Sequence, residues 1–483
     1  MTLVAGIDSS TQSCKVVVLD AATGRQVRAG SAPHPPGTEV DPQEWWEALE
    51  SAVGRAGGLD DVEAVSVAGQ QHGLIALDER GEVIRPALLW NDVRSASSAS
   101  DLVRDLGDGD EGTGTRVWAR EVGSVPVAAL TVAKLRWLAD HEPENARRIA
   151  AVALPHDWLT WRIRGSDDLR SLTTDRSDAS GTGYFDPANN QYRRDLLALA
   201  LRRNESEAVD IRLPTVLGPR QQAGHGDESR GWGHLVLGAG CGDNAAGALG
   251  IGLEVGQTSI SIGTSGVVAA VSTTPTTDAS GLVAGFADAT GAYLPLACTL
   301  NASRVLDATA AVLGVGHEEL SALALAAAPG AKGLVHVPYL EGERTPNLPH
   351  ATGGLFGMTL ASLTRENLAR AAVEGLLCLL ADATEAVRRQ GVSINRVTLL
   401  GGGARSQAVR GLAPMILGVP VEVPEPDEYV ARGAARQAAW ALTGNDHPPR
   451  WELDTRVFTG EPTPEVLQHY RNTARDVGRL LGE

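Results

Sequence analysis

Lysine is almost missing from this chain. Only Lys15, Lys134 and Lys332 occur in 483 residues. None of them completes a Gly-x-x-x-x-Gly-Lys-Ser/Thr run, so a P-loop nucleotide site is excluded. Cysteine is equally sparse. Cys14, Cys241, Cys298 and Cys378 lie far apart with no Cys-x-x-Cys spacing, which argues against a disulfide scaffold or a cysteine zinc site and suits a reducing cytoplasm. No unbroken apolar run approaches the roughly 18 residues of a membrane span, so no membrane partner is expected. The opening MTLVAGIDSS has no basic segment ahead of a cleavable small-residue site, and export is not expected. Positive charge is in deficit too. A formal net charge of −17 is the wrong sign for a nucleic-acid partner, which is held by neutralising phosphates. A small molecule is the expected partner. If that molecule is a nucleotide, its phosphates need backbone N–H groups, an arginine or a divalent ion.

A chain of 483 residues with 43% hydrophobic and 21% charged residues has enough apolar material for two ordinary cores. LVAGI, CKVVVLD and the stretch after ATGRQVRAG read as a three-stranded meander. In DPQEWWEALESAVGRAG, Asp41 is a helix N-cap, Pro42 stands at N1 and Glu44 at N3; Trp45, Leu49, Ala52 and Val53 share one face that should cover the sheet. VEAVSVAG follows as an alternating strand and delivers GQQHG to its carboxyl end, where open α/β sheets bind ligands. The later chain repeats the plan. GQTSISIGTSGVVAAVS is again two strands around a small-residue loop, RVTLLGGGARSQAVRGLAPMILG is strand, glycine turn and helix, and PVEVP leads into a further helix. The architecture is duplicated, with a boundary near residues 244–252. LVRDLGDGDEGTGTR and RQQAGHGDESRGWG are expected to be surface loops.

Two hairpin loops could meet phosphates. They are DSSTQS, with Thr11 and Gln12, and GTSG, with Gly263 and Thr264; small residues there allow backbone N–H groups close approach, although plain turns have the same composition. Asp8 ends an apolar strand and suits either a magnesium ion held largely through waters or an Asx turn. LLGGGARSQ, containing Gly402, Gly403 and Ser406, leads from a strand into a helix N-terminus that favours anions, without dinucleotide-fingerprint spacing. Gln70, Gln71 and His72, with Trp90, Asn91, Asp92 and Arg94 close behind, suit a polyol; equally, Trp90 could be core and Asp92 with Arg94 an ion pair. Asp243 is the one carboxylate in GAGCGDNAAGALG. It is either a helix N-cap or a base facing a cavity, and its small neighbours leave room for substrate.

In order and spacing, GIDSSTQSCKVVVLD, VAGQQHGLIALDERGEVIRPALLWNDVR, LPHDWLTWRIRG, TTDRSDASGTGYFD, GAGCGDNAAGALGIG, SIGTSGVV, VPYLEGERTPN, GLFGMTL and LLGGGARSQ make the chain resemble the FGGY carbohydrate kinases, of the sugar kinase/Hsp70/actin superfamily. The resemblance implies an α/β fold of two RNase H-like (actin-like ATPase) domains flanking a catalytic cleft. Sugar would lie mainly on residues 1–247 and ATP, with Mg2+, mainly on residues 248–483. On matching positions it makes Asp243 the catalytic base and puts Asp8 near the metal and phosphates. Gln71, His72 and Asn244 would face the sugar, Gly263 and Thr264 the ATP phosphates, and Gly402, Gly403 and Ser406 the adenosine. GQ-x-HG with LWND-x-R points to the branch that phosphorylates D-xylulose at its 5-hydroxyl, although many members carry Met at the position of Gln71. L-ribulose, gluconate and glycerol are the alternative acceptors, and an actin- or Hsp70-like ATPase with protein partners is the alternative class. The implied location is the cytoplasm, with a homodimer open.

Overall fold

The computed structural model describes residues 1–480, and it has one mixed sheet in each half. In the first, Leu3–Ser9, Ser13–Asp20 and Gln26–Pro33 form the antiparallel meander. Val62–Gly69 then pairs parallel with Leu3–Ser9, Val236–Gly238 pairs parallel with Val62–Gly69, and Gln222–His225 closes the edge antiparallel. The second sheet repeats that order. Gln257–Ile262, Gly266–Ala270 and Tyr293–Thr299 are its meander, Arg396–Leu400 and Val421–Pro424 follow in parallel, and Thr455–Phe458 closes the edge antiparallel. One strand is added outside the meander, Val283–Ala287. The duplication is therefore visible strand by strand. It also sets the DSSTQS and GTSG hairpins at equivalent places in the two sheets.

The helix Pro42–Arg55 starts as its composition dictates. Asp41 accepts from Gln43 N at 2.9 Å, and Trp45, Trp46, Leu49, Ala52 and Val53 are buried. The strand Val62–Gly69 departs from the expected alternation, since every residue except Glu63 is buried. It lies inside the sheet, where both faces are covered and nothing polar need alternate. Part of that cover comes from the far end of the chain. Ala431, Ala435, Ala438 and Ala439, on the helix Tyr429–Thr443, form a cluster with Val4, Val17 and Ala64 of the first sheet.

Both expected surface loops contain regular structure. Residues 102–116 belong to two helices, Ala96–Leu106 and Glu111–Val122, joined by a short turn. Asp110 caps the second by accepting from Thr113 N at 2.7 Å. The glycine that argued for a loop instead permits close helix contact, because a Cβ on Gly114 would stand 1.9 Å from Val103 O. Residues 220–233 likewise supply the edge strand Gln222–His225. Local composition was overridden in both segments by tertiary packing.

Glycine also governs the contact between the helices Asp243–Gly250 and Tyr429–Thr443. A Cβ on Gly433 would lie 1.8 Å from Ala246 O, whereas one on Gly54, exposed near the end of Pro42–Arg55, would meet nothing within 4 Å. Gly433→Ala should therefore destabilise the fold by about 1–3 kcal/mol. Gly54→Ala should stabilise it by about 0.5–1 kcal/mol. Urea denaturation midpoints of the two variants check the opposite signs.

Candidate active site

Asp8 is the penultimate residue of Leu3–Ser9, and its side chain is buried while accepting a hydrogen bond from Ser10 Oγ. Burial pushes its carboxyl up to about 6, with Ser10 and Lys15 opposing. Lys15 is itself paired, its Nζ lying 2.6 Å from Glu428 Oε2. This ion pair links the first hairpin to the chain entering the helix Tyr429–Thr443. Thr11 Oγ1 accepts from Trp90 Nε1 at 2.8 Å, so Trp90, 38% exposed, belongs to the loop wall rather than to the core. The Gln12 side chain is exposed, while its carbonyl accepts from His34 N.

Asp243 is the first residue of the helix Asp243–Gly250, and the cap position belongs to Gly242. The simple N-cap assignment is thus off by one residue. Its Oδ1 accepts from Asn244 N at 2.8 Å and Asn244 Nδ2 at 3.0 Å. Asn244 Nδ2 also donates to Gln71 Oε1 at 3.1 Å, and Gln71 Nε2 donates to Ser177 O at 3.2 Å. A continuous chain of hydrogen bonds therefore runs from Asp243 to the strand-end glutamine. Burial and then the charge of Asp8 lift the Asp243 carboxyl from 3.8 to about 7, against the Asn244 bonds. Some of the glycine clearance around Asp243 serves the protein itself. A Cβ on Gly242 would strike the Gln71 side chain at 2.6 Å, and one on Gly240 would strike the His156 ring at 2.1 Å. Gly247 alone in this stretch is open, with Val430 its nearest neighbour at 3.9 Å.

His72 has a φ of 69°, and its Nδ1 lies 2.8 Å from Gly181 O. Facing a carbonyl, Nδ1 carries the hydrogen, which leaves Nε2 as an acceptor. Burial drives its pKa down to about 4, and the charges of Lys134 and Arg344 add to the effect. The ring packs on Phe286 at 5.3 Å, so the two halves meet across it. Asp92 is the ion pair that its neighbourhood allowed. Its Oδ1 takes Arg94 Nε at 2.9 Å and its Oδ2 takes Thr38 Oγ1 at 2.7 Å, which occupies both oxygens. Gln70 is buried, and among the described residues its side-chain amide has no hydrogen-bond partner.

On the other half, Thr264 is exposed at the tip of its hairpin, and the carbonyls of Gly263 and Thr264 accept from Ser303 N and Ala302 N. Beside it, a cavity of about 230 Å³ is lined by Gly401, Gly402, Arg405, Arg410, Asp427 and Tyr429 among others. Gly401 has a φ of 84°, which favours glycine. Gly403 and Ser406 stand behind this cavity rather than in its lining. Gly403 packs on Ile262, and Ser406 caps the helix Gln407–Leu417 by accepting from Val409 N at 3.3 Å. Lys134, Ser177, Phe286 and Arg344 approach the site without having been picked out from the sequence. Lys134 is one of only three lysines, Arg344 lies within LEGERTPN and Ser177 within TTDRSDASGTGYFD, signals that were present, whereas nothing local marks Phe286.

Two duplicated sheets with carboxylates at strand and helix ends, and a glycine-walled cavity on the second sheet, define a two-domain phosphotransferase of the actin-like ATPase fold. Residues 3–250 match the FGGY family of carbohydrate kinases, N-terminal domain, and residues 258–442 match its C-terminal domain. The chain belongs to the FGGY family of carbohydrate kinases. It is 46% identical to a xylulose kinase of Streptomyces coelicolor over 92% of this chain and 89% of that one. The crystal structure of xylulose kinase from Bifidobacterium adolescentis superposes with a TM-score of 0.93 at 54% identity, covering 98% of this chain and 99% of that one. A glycerol kinase of Plasmodium falciparum shares the fold, with a TM-score of 0.84 at 18% identity over 99% of this chain and 98% of that one.

The raised Asp243 carboxyl has a consequence for stability. Because folding lifts its pKa, its proton is held more tightly in the folded chain; that contribution is full below about pH 4 and is lost as pH rises through about 7. Asp243→Asn should therefore gain stability over the parent as pH goes from 5 to 8. The expected gain is about 1–2 kcal/mol, discounted for partial exposure. Urea denaturation at both pH values, without added metal, measures it.

Proposed function

We propose that this chain transfers the γ-phosphoryl group of ATP to the 5-hydroxyl of D-xylulose, in the cytoplasm and in the service of D-xylose catabolism. The observation that carries the reading is Asp243, a half-buried carboxylate tied through Asn244 to Gln71, with its pKa lifted to about 7. In a loose phosphoryl-transfer transition state, positioning and charge dominate. Asp243 needs only to orient the sugar hydroxyl and accept its proton as the new bond to phosphorus forms, and a pKa near 7 suits that task. Gln71, Asn244, Trp90 and the free Nε2 of His72 hold the sugar on residues 1–247. The similarity to xylulose kinases supports D-xylulose over L-ribulose, gluconate and glycerol.

Residues 248–483 hold the nucleotide. Gly402 lines the adenosine cavity, backed by Gly403 and Ser406, while Gly263 and Thr264 on one hairpin, and Thr11 and Gln12 on the equivalent hairpin of the other sheet, are the two phosphate loops. Asp8 fits a divalent cation: its buried carboxylate is held up by dehydration and repels Asp243, and a positive charge there would relieve both effects. Asp8 would hold Mg2+ largely through waters, and the ion when bound neutralises phosphate charge. Asp243 and Asp8 are then the two carboxylates of catalysis.

ADP release followed over D-xylulose, L-ribulose, D-gluconate and glycerol tests the proposal. D-xylulose should give the highest kcat/KM, and Asp243→Asn should lower kcat by about 10²–10⁴-fold while sugar binding persists. A higher kcat/KM on another acceptor would overturn the substrate, and near-parental turnover in Asp243→Asn would remove that residue from the mechanism.

A further inference from the structure

Behind Asp243 lies a buried charged cluster with no part in the proposed chemistry. His156, Asp157 and Asp178 are all fully enclosed. His156 Nδ1 stands 2.5 Å from Asp178 Oδ2 and 3.3 Å from Asp157 Oδ1. Their ligand-type atoms all lie within 4.8 Å of one another, the spacing of a candidate cation site. The 2.5 Å contact argues for a proton instead. A metal bound at about 2.0–2.2 Å from each ligand would hold neighbouring ligand atoms roughly 3 Å apart, whereas 2.5 Å is a short charge-assisted hydrogen bond. Burial opposes charge on His156, but Asp157 and Asp178 override it and raise the imidazole to about 10.

The position of this pair is informative. The His156 side chain fills the space that Cβ atoms on Gly69 and Gly240 would need, at 2.9 Å and 2.1 Å. Gly69 is the residue before the turn Gln70–His72, and Gly240 leads into Asp243. Asp178 lies on the short helix Arg176–Ser180, and that helix, with the glycine that follows it, bonds to the turn Gln70–His72, to the residue before Asp243 and to the second sheet. Ser177 Oγ accepts from Gly242 N at 3.0 Å, and Ser177 O accepts from Gln71 Nε2. Gly181 O, just beyond the helix, takes His72 Nδ1, and Ser180 Oγ accepts from Ala287 N of the second sheet at 3.0 Å.

We propose that the His156–Asp178 pair is a positioning device that holds the sugar-binding turn Gln70–His72 in register with the base Asp243 through the helix Arg176–Ser180. This rests on the reading of Asp243 as the base. His156 and Asp178 touch no substrate; they act by fixing where the sugar hydroxyl meets the carboxylate. A small displacement there costs rate steeply, and it admits water as a competing acceptor for the phosphoryl group. Water attack on the γ-phosphorus breaks the same P–O bond of ATP and yields ADP and inorganic phosphate.

The test measures kcat, the two KM values and the sugar phosphate formed per ADP released in wild type, His156→Leu, His156→Asn and Asp178→Asn. The Asn at 156 keeps an N–H donor in place of Nδ1. His156→Leu and Asp178→Asn should lower kcat by ~10–100-fold, raise the D-xylulose KM, leave the ATP KM within about twofold, and drop the yield of sugar phosphate per ADP below one. His156→Asn should restore most of both losses. A purely structural role would lower the urea midpoint while leaving the yield unchanged, and that result overturns the proposal. Should His156→Leu fail to fold, the folded Asp178→Asn and His156→Asn proteins decide by the same yield. A stoichiometric metal in purified wild-type protein that is lost in Asp178→Asn but kept in Asp8→Asn would also overturn it. Wild-type protein that turns over no sugar defeats the base assignment and the device together; normal wild type with normal variants defeats the device alone.

Discussion

The carbonyl oxygen of Ala246 occupies the space that a side chain at position 433 would need, and the geometry of the site hangs on that contact. The helix Tyr429–Thr443 meets two backbones at once. A Cβ on Gly6 would come within 1.9 Å of Ala431 O, and one on Gly250 within 2.0 Å of Tyr429 O. Gly6 precedes Asp8 by two residues on the same strand, and Gly250 ends the helix that Asp243 begins. The same late helix thus holds both cleft carboxylates through backbone contacts that tolerate no side chain. Close packing of this kind transmits position rigidly, because there is no rotamer to absorb a shift.

Electrostatics then act on groups whose places are already set. Dehydration raises Asp8 and Asp243; the charge of Asp8 raises Asp243 further, and that of Glu428 adds to the rise at Asp8. An acidic chain accumulating negative charge in its own cleft is consistent with a cation and an N–H-lined phosphate path. Deeper inside, behind Asp243, the positive charge of His156 is held by Asp157, Asp178 and Asp175 and in turn lowers the cost of burying them. Buried pairs of this kind contribute little net stability, yet losing one partner leaves the other uncompensated. That asymmetry suits a group kept for placement.

Much of the architecture was legible along the chain. The two meanders, the Asp41 cap with its apolar face and the glycine turns into helices all follow from periodicity and turn chemistry, which act over a few residues. Asp8, Asp243, Gln71 and His72 stood out because polar groups ended apolar strands or interrupted glycine runs. Errors arose where distant packing reversed a local signal. Gly114 suggested a loop and is a helix contact, and the strand Val62–Gly69 lost its alternation to the helix Tyr429–Thr443, from the far end of the chain.

By itself, the sequence determined the class of fold, the duplicated order of its elements, and the family to which it belongs, because those depend on short-range patterning and on motifs in fixed order. The tertiary structure alone decided what each glycine makes room for, that Asp92 is spent on Arg94 and Thr38, that Ser406 caps a helix, and that His156 packs beneath the glycines leading into Asp243. Each of those is a contact between residues far apart in the chain. No local pattern encodes such a contact, since its partner is chosen only when the sheets and helices close on one another.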